Sequence, residues 1–441
     1  MTSHTAVPTN LPRGSKNPTI ILILCWLALL LDGFDLVVLG VAIPSMMEDS
    51  RWSFGPAEAT LVSTSGLIGM MIGALVISFL TDKFGRRRVM MFAVALFSVF
   101  TLILAFTTNV ALFTLLRFLA GAGLGGALPT GISLVTEFRG VTKSGSASTI
   151  LMTGYHVGAV ATAFLGILMI EPLGWHSLFV AGAAPALVLL PAMYFLLPES
   201  PQYLMTVGRE SEARAIANEY NISLDDELGD KHAAELENSS TLKALLSPAF
   251  RRNTLAIWGT SFMGLLLVYG LNTWLPQIMR DADYDLGNSL AFLMVLNIGA
   301  VVGLIISGNI ADRYSPRKTC LVWFAASAVF LALLAVKLPL IALYTMIFLT
   351  GIFVFSSQVL VYGFVAENHP ASVRASAMGL SAGIGRMGAI SGPMVGGLLV
   401  AQGIAYPWGF FAFAIVGVLG TVIFLASRTL KTRPEDLRVE V

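Results

Sequence analysis

Ser78-Phe79-Leu80-Thr81-Asp82-Lys83-Phe84-Gly85-Arg86-Arg87-Arg88 has a counterpart 230 positions later, Gly308-Asn309-Ile310-Ala311-Asp312-Arg313-Tyr314-Ser315-Pro316-Arg317-Lys318. Each copy is a short basic segment interrupting apolar sequence. The same offset takes Glu137 to Glu367, Gly121 to Gly351, Ser146 to Ser376 and His156 to Arg386. A repeat of this length implies two similar halves, each a six-helix bundle, with a ligand site near the middle of their interface.

Outward from these segments the chain is too apolar for a soluble core. Of 441 residues, 56% are hydrophobic and 12% charged, with a mean hydropathy of +0.79. Soluble domains carry roughly 25% charge. Crossing the hydrocarbon takes about 20 apolar residues, and about twelve such stretches are present. The fold class expected is an all-α membrane protein with twelve transmembrane helices in two pseudo-symmetric bundles. The expected divisions are an N-terminal tail (1–18), a first bundle (19–197), a central loop (198–252), a second bundle (253–427) and a C-terminal tail (428–441). Part of the polar central loop, Glu210 to Glu219, has an amphipathic helical pattern.

Cytoplasmic loops are enriched in Lys and Arg. With alternating spans, Arg13, Lys16, Lys83, Arg86, Arg87, Arg88, Arg139, Lys143, Arg313, Arg317, Lys318, Arg374, Arg428 and Lys431 fall on one side, and Arg51, Arg280 and Lys337 opposite. Both tails and the central loop are then expected in the cytoplasm, in a bacterial inner membrane. The first span is too long for a signal-peptide core and contains aspartates, so it reads as retained. Cys25 and Cys320 lie in or beside spans, suggesting neither a disulfide framework nor a metal cluster.

An ionisable group at mid-membrane costs ~2.5 to 3.5 kcal/mol on insertion scales, which makes each one a functional candidate. Asp32, Asp35, Arg117, His156 and Arg386 lie deepest. Asp32 and Asp35, three apart on one helix, share a face. Two carboxylates that close in low dielectric cannot both ionise cheaply, which suits a proton carrier. Arg117 opens a run of small residues, Gly121 to Gly126, that lets another helix approach; no strand precedes it, so it is not a nucleotide fingerprint. Arg386 lies among Gly383, Gly385 and Gly388. A guanidinium there suits an anionic substrate better than a neutral sugar, and His156 is placed to donate to a substrate carboxylate or relay a proton. Phe34, Tyr155, Trp274, Phe355 and Tyr362 are candidate walls for a flat ring, and Asn272 is a candidate hydrogen-bond partner.

The segment Ser78 to Arg88 resembles the loop motif of the major facilitator superfamily, with Ser78 where a glycine is usual; its second copy keeps Gly308 but has Ser315 for the later glycine. Pro198-Glu199-Ser200-Pro201 resembles the sugar-porter and aromatic-acid branches of that superfamily. Asp32-Gly33-Phe34-Asp35 resembles the signature of the aromatic acid:proton symporter family, and Tyr269-Gly270-Leu271-Asn272-Thr273-Trp274-Leu275-Pro276 is similar to it too. Sugar porters share Gly-Phe-Asp, but their glutamine-rich seventh-span motif is missing here.

The resemblance covers Thr19 to Ala426. It implies an Asp35–Arg117 pair in the proton-coupling site, and a cytoplasmic gating network drawn from Asp82, Arg86, Arg87, Glu137, Arg139, Glu199, Asp312, Arg313, Glu367 and Arg374. The function expected is proton-coupled import of small aromatic carboxylates by a monomer in the lipid bilayer, with protons as coupling ions, no other cofactor and no nucleic-acid partner. A sugar or other organic-solute porter is the alternative within the fold; efflux and a receptor role rank behind it. No nucleophile with a base appears in the spans, so an enzyme is not expected.

Overall fold

In hydrocarbon each backbone N–H and C=O must be satisfied within its own segment, so long apolar stretches become helices. A computed structural model describes residues 17–139, 144–220, 222, 245–248, 250–369 and 371–429, without the side chains of 78, 82, 139, 144–149, 312, 371–373 and 375. Among the described residues are twelve helical spans long and apolar enough to cross a membrane.

The first half comprises α1 (Thr19–Glu48), α2 (Pro56–Phe84), α3 (Arg86–Leu104), α4 (Val110–Arg139), α5 (Ser144–Leu173), and a sixth span in two pieces, α6 (His176–Ala183) and α7 (Ala186–Leu196). The break falls at Ala184-Pro185, where a proline has no N–H to continue the helix. Two short helices follow, α8 (Pro201–Thr206) and α9 (Glu210–Tyr220). The amphipathic pattern expected over Glu210 to Glu219 is present in α9, which buries Ala213, Ala217 and Tyr220. The second half comprises α10 (Arg251–Asp281), α11 (Leu286–Tyr314), α12 (Pro316–Leu333), α13 (Leu340–Asn368), α14 (Ala371–Ala401) and α15 (Ala405–Leu425). Helix starts follow capping chemistry: Glu58 accepts the Gly55 amide at 2.9 Å beside Pro56, and Asp285 accepts the Asn288 amide at 2.6 Å.

Packing repeats with the sequence. The helix α2 packs on α4 and α1 on α5, while in the second half α11 packs on α13 and α10 on α14. Glycines permit the closest pair: a Cβ on Gly121 would run into the Gly66 carbonyl of α2, and one on Gly125 into the Met70 carbonyl. Such small-residue contact drives association where lipid offers no hydrophobic force.

The halves meet through α1 with α10, α2 with α14, and α5 with α11. At the end remote from the chain termini, Arg280 pairs with Glu48, Gly397 abuts the Thr60 side chain, and a Cβ on Gly166 would lie 3.3 Å from the Leu290 side chain. Towards the terminal end, Gly308, Gly363, Gly379 and Gly383 face open space. The halves are therefore in contact at the far end.

Gly121→Val, by forcing α4 away from α2, is expected to cost at least ~1–3 kcal/mol. Thermal unfolding in detergent measures this; an unchanged midpoint contradicts the contact.

Candidate functional site

The glycine-lined approach of α2 and α4 makes room for Arg117. Its stem lies against Gly66, where a Cβ would sit 3.1 Å from Cγ. From there it reaches α1, donating from Nη1 to Asp35 Oδ2 at 2.7 Å and from Nη2 to the Asp35 carbonyl at 2.7 Å. Thr101 of α3 donates to the other carboxylate oxygen at 2.5 Å. Both charges are buried, so the pair is compensated by contact and by a third polar group, as a low-dielectric ion pair requires.

Asp32, one turn earlier, is also buried, but its Oδ1 has no hydrogen-bond partner. Arg386 and Asp35 are the charges that act on it. Two carboxylates on one helix face thus have opposite circumstances, one fully engaged and the other not.

Arg386 projects from α14 across the interface. Its Nη1 points at the Met70 sulfur of α2 and lies 3.3 Å from the Tyr269 hydroxyl of α10. Tyr155 of α5 is within electrostatic reach of the Tyr269 hydroxyl. Tyr362 of α13 is also within electrostatic reach of the guanidinium. Among the described residues no carboxylate lies within ion-pair distance of Arg386. His156 is buried beside this cluster with Nδ1 unpartnered; its ring stands edge-on to Tyr155 (5.2 Å) and to Phe355 of the other half (6.0 Å).

Arg386, Tyr155, His156, Phe355 and Tyr362 therefore gather at mid-depth. Asn272 lies next door, accepting from Asn297 at 3.1 Å and bordering a cavity of about 30 Å³ with Arg117, Ser63 and Tyr269, room for about one water. Two of the expected ring contacts stand elsewhere. Phe34 packs on Gly182 of α6, and Trp274 packs on Gly396 while donating to the Pro393 carbonyl at 2.8 Å. The Phe34 ring fills a contact within the first half, whereas the Trp274 ring lies beside Gly397, which also abuts Thr60 of the first half. Sequence reasoning did not single out Thr101, Met70, Tyr269 or Gln358; only Tyr269 carried a signal, as the first residue of the seventh-span motif.

Residues 25–380, and again 293–440, match the sequence model of the Major Facilitator Superfamily. The chain belongs to that superfamily. It is 32% identical over 427 residues to the benzoate transport protein of Acinetobacter baylyi, covering 95% of this chain and 91% of the relative. It is 32% identical to the gallate transporter of Pseudomonas putida, covering 94% and 92%. Among solved structures it resembles the partially occluded inward-open conformation of the xylose transporter XylE from E. coli. That match has a TM-score of 0.74 at 18% identity, over 94% of this chain and 100% of the other, a likeness of fold.

In this major facilitator protein the two polar motifs of the first half dock on one another. Arg86 pairs with Glu137, which also accepts from Ser200 Oγ at 2.7 Å and the Gln202 amide at 2.8 Å. Glu199 accepts from the amides of Arg87 (2.9 Å) and Ser200 (3.0 Å). Its carboxylate fills the space beside Gly85, whose φ of +93° favours glycine. In the second half Arg313 lies over the Tyr314 ring, Glu367 is exposed, and Arg374 donates to the His369 carbonyl at 3.1 Å. Asp82, Arg139 and Asp312 have side chains outside the described ones. Every described contact of the expected gating residues lies within one half.

The far end carries a clamp that the sequence did not suggest. Arg51 grips Asp49, Trp175 donates to the same carboxylate at 3.0 Å, and Trp52 stacks between Phe54 and Trp175. Hydrogen bonds from Arg51 hold the Asp49 carboxyl well below the usual carboxylate range. A lowered carboxyl stabilises above its unfolded value and loses that contribution only as pH falls through its folded one. The clamp is thus constant between about pH 5 and 8, and any pH dependence of activity there is expected to survive Asp49→Asn.

Arg117→Met or Asp35→Leu alone strands a buried charge and is expected to cost ~3–5 kcal/mol. The double variant is expected to be milder than either single one in thermal unfolding; additive losses contradict the pairing.

Proposed function

We propose that this protein imports small aromatic carboxylates in symport with protons, by alternating exposure of the Arg386 cluster to the two sides of the membrane. The observation that carries the reading is Arg386: a guanidinium at mid-depth, ringed by the phenols of Tyr155, Tyr269 and Tyr362, with no described carboxylate in ion-pair contact. A cation so placed is incomplete without an anion. Flat rings beside it suit an aromatic body, and the named substrates of the benzoate and gallate relatives are aromatic acids. Met70 sulfur and the Tyr269 hydroxyl occupy the guanidinium in the meantime. An arriving carboxylate offers two charged acceptors in their place.

Asp32 is the proton carrier in this scheme. Its carboxylate is buried with an oxygen unpartnered, and an ionised group left so costs several kcal/mol, so a proton loads there readily. Asp35, engaged by Arg117 and Thr101, acts as the hinge pair, which protonation would release so that α1 and α4 shift. His156 donates to the substrate or passes a proton. A monoanion entering a negative interior is opposed by ~2.3 kcal/mol per 100 mV; one accompanying proton cancels that term and leaves the pH gradient as the driving force.

The positive-charge bias sets the tails and central segment in the cytoplasm of a bacterial inner membrane. The end of the interface on the side of the termini then faces inward. The Arg86–Glu137–Glu199 group belongs to a latch that closes across the halves when the far end opens, and the working unit is a monomer.

Uptake of labelled benzoate and hydroxybenzoates by intact cells, with and without a protonophore, tests the proposal. Accumulation is expected to collapse with the protonophore. Arg386→Leu should weaken apparent affinity roughly 10- to 150-fold, the worth of a hydrogen-bonded charge contact. Asp32→Asn should abolish accumulation while leaving exchange of substrate across the membrane. Protonophore-resistant accumulation rejects symport, and competition by hexoses in place of aromatic acids rejects the substrate class.

A further inference from the structure

The tenth span presents Phe355, Gln358 and Tyr362 at spacings that set them on one side of α13. Phe355 meets the His156 ring of the opposite half, and Tyr362 lies near Arg386, so this side of the helix looks into the substrate region. Between them, Gln358 is 4% exposed, and neither its Oε1 nor its Nε2 makes a hydrogen bond. Its polar neighbour is the Tyr362 hydroxyl one turn on, which interacts with the amide electrostatically but lies outside hydrogen-bond geometry. Space for the amide is provided by the opposing helix: a Cβ on Gly264 of α10 would collide with Gln358 Oε1. Leaving one buried donor or acceptor unfilled costs about 1–3 kcal/mol. Here both kinds are unfilled on one side chain, a cost that packing alone does not repay.

The missing partner has to donate and accept, which a hydroxyl does. Four residues of helix separate Gln358 from Tyr362, a rise of about 6 Å, close to the length of a benzene ring with its para substituent. A substrate whose carboxylate meets Arg386 near Tyr362 directs the far edge of its ring along α13 towards the amide. We propose that Gln358 reads a hydroxyl on the substrate ring, making this transporter selective for hydroxylated over unsubstituted aromatic acids. The assignment rests on the aromatic-carboxylate reading and deepens it. Sites built to hydrogen-bond a substrate hydroxyl reject the analogue lacking it, because their polar groups are then left unpaired.

The test is competition of benzoate, 3-hydroxybenzoate, 4-hydroxybenzoate and 3,4-dihydroxybenzoate for binding to the purified full-length protein in detergent. In the unmodified protein at least one hydroxylated acid is expected to bind tenfold or more tighter than benzoate, a single hydrogen bond's worth. In Gln358→Leu the ratio is expected to fall towards one. Gln358→Met, close in volume and lacking donors, gives the same readout should the leucine variant not fold. Equal binding of benzoate and every hydroxylated acid by the unmodified protein overturns the assignment. So does a substitution that weakens all four acids alike, which is the mark of a packing role. Binding of none of the four overturns the aromatic-carboxylate reading itself, an outcome distinct from loss of selectivity.

Discussion

A charge in hydrocarbon has to be compensated, and this protein compensates its two mid-membrane guanidiniums differently. Arg117 is closed off by Asp35, by that residue's own carbonyl and, through the carboxylate, by Thr101. Arg386 has a thioether and a phenol in contact, and the charge nearest in effect, Asp32, acts from beyond ion-pair distance. The first arrangement is complete within one half of the molecule. The second reaches from one half to the other and calls for an anion.

That difference gives the interface its work. Arg386 of α14 touches Met70 of α2, and Tyr269 of α10 lies within electrostatic reach of Tyr155 of α5, so the cluster is assembled from both bundles. At the far end the bundles are joined by Glu48–Arg280 and by glycine-lined contacts, while the described polar ties at the terminal end remain within single halves. The small cavity beside Arg117 and Asn272 puts the Asp35 pair within a water's reach of Tyr269.

Architecture was largely legible in the sequence. The length of apolar runs follows from the thickness of hydrocarbon, and the repeat exposed by Asp82 and Asp312 reappears as repeated helix pairings. The Asp35–Arg117 contact was implied by family resemblance, and the structure contains it. Ring placement was not legible in the same way. Phe34 and Trp274 lie on helices buried over much of their circumference, where hydropathy carries no azimuth; Phe34 packs on Gly182 of its own half and Trp274 on Gly396 and Gly397. Thr101 and Gln358 are neutral polar residues of a kind common in spans. Only the three-dimensional count of their partners sets them apart. The residues expected to gate were legible as a group from the motifs, and their described contacts lie within single halves.

The most direct measurement is a comparison of benzoate with benzamide, its neutral near-isostere, in equilibrium binding to the purified protein and to Arg386→Met. If an uncompensated guanidinium holds the substrate, the acid binds at least tenfold tighter than the amide, as loss of a charged hydrogen bond requires. The difference then disappears in the variant. Equal binding of acid and amide by the unmodified protein, or a difference that survives in Arg386→Met, contradicts the account.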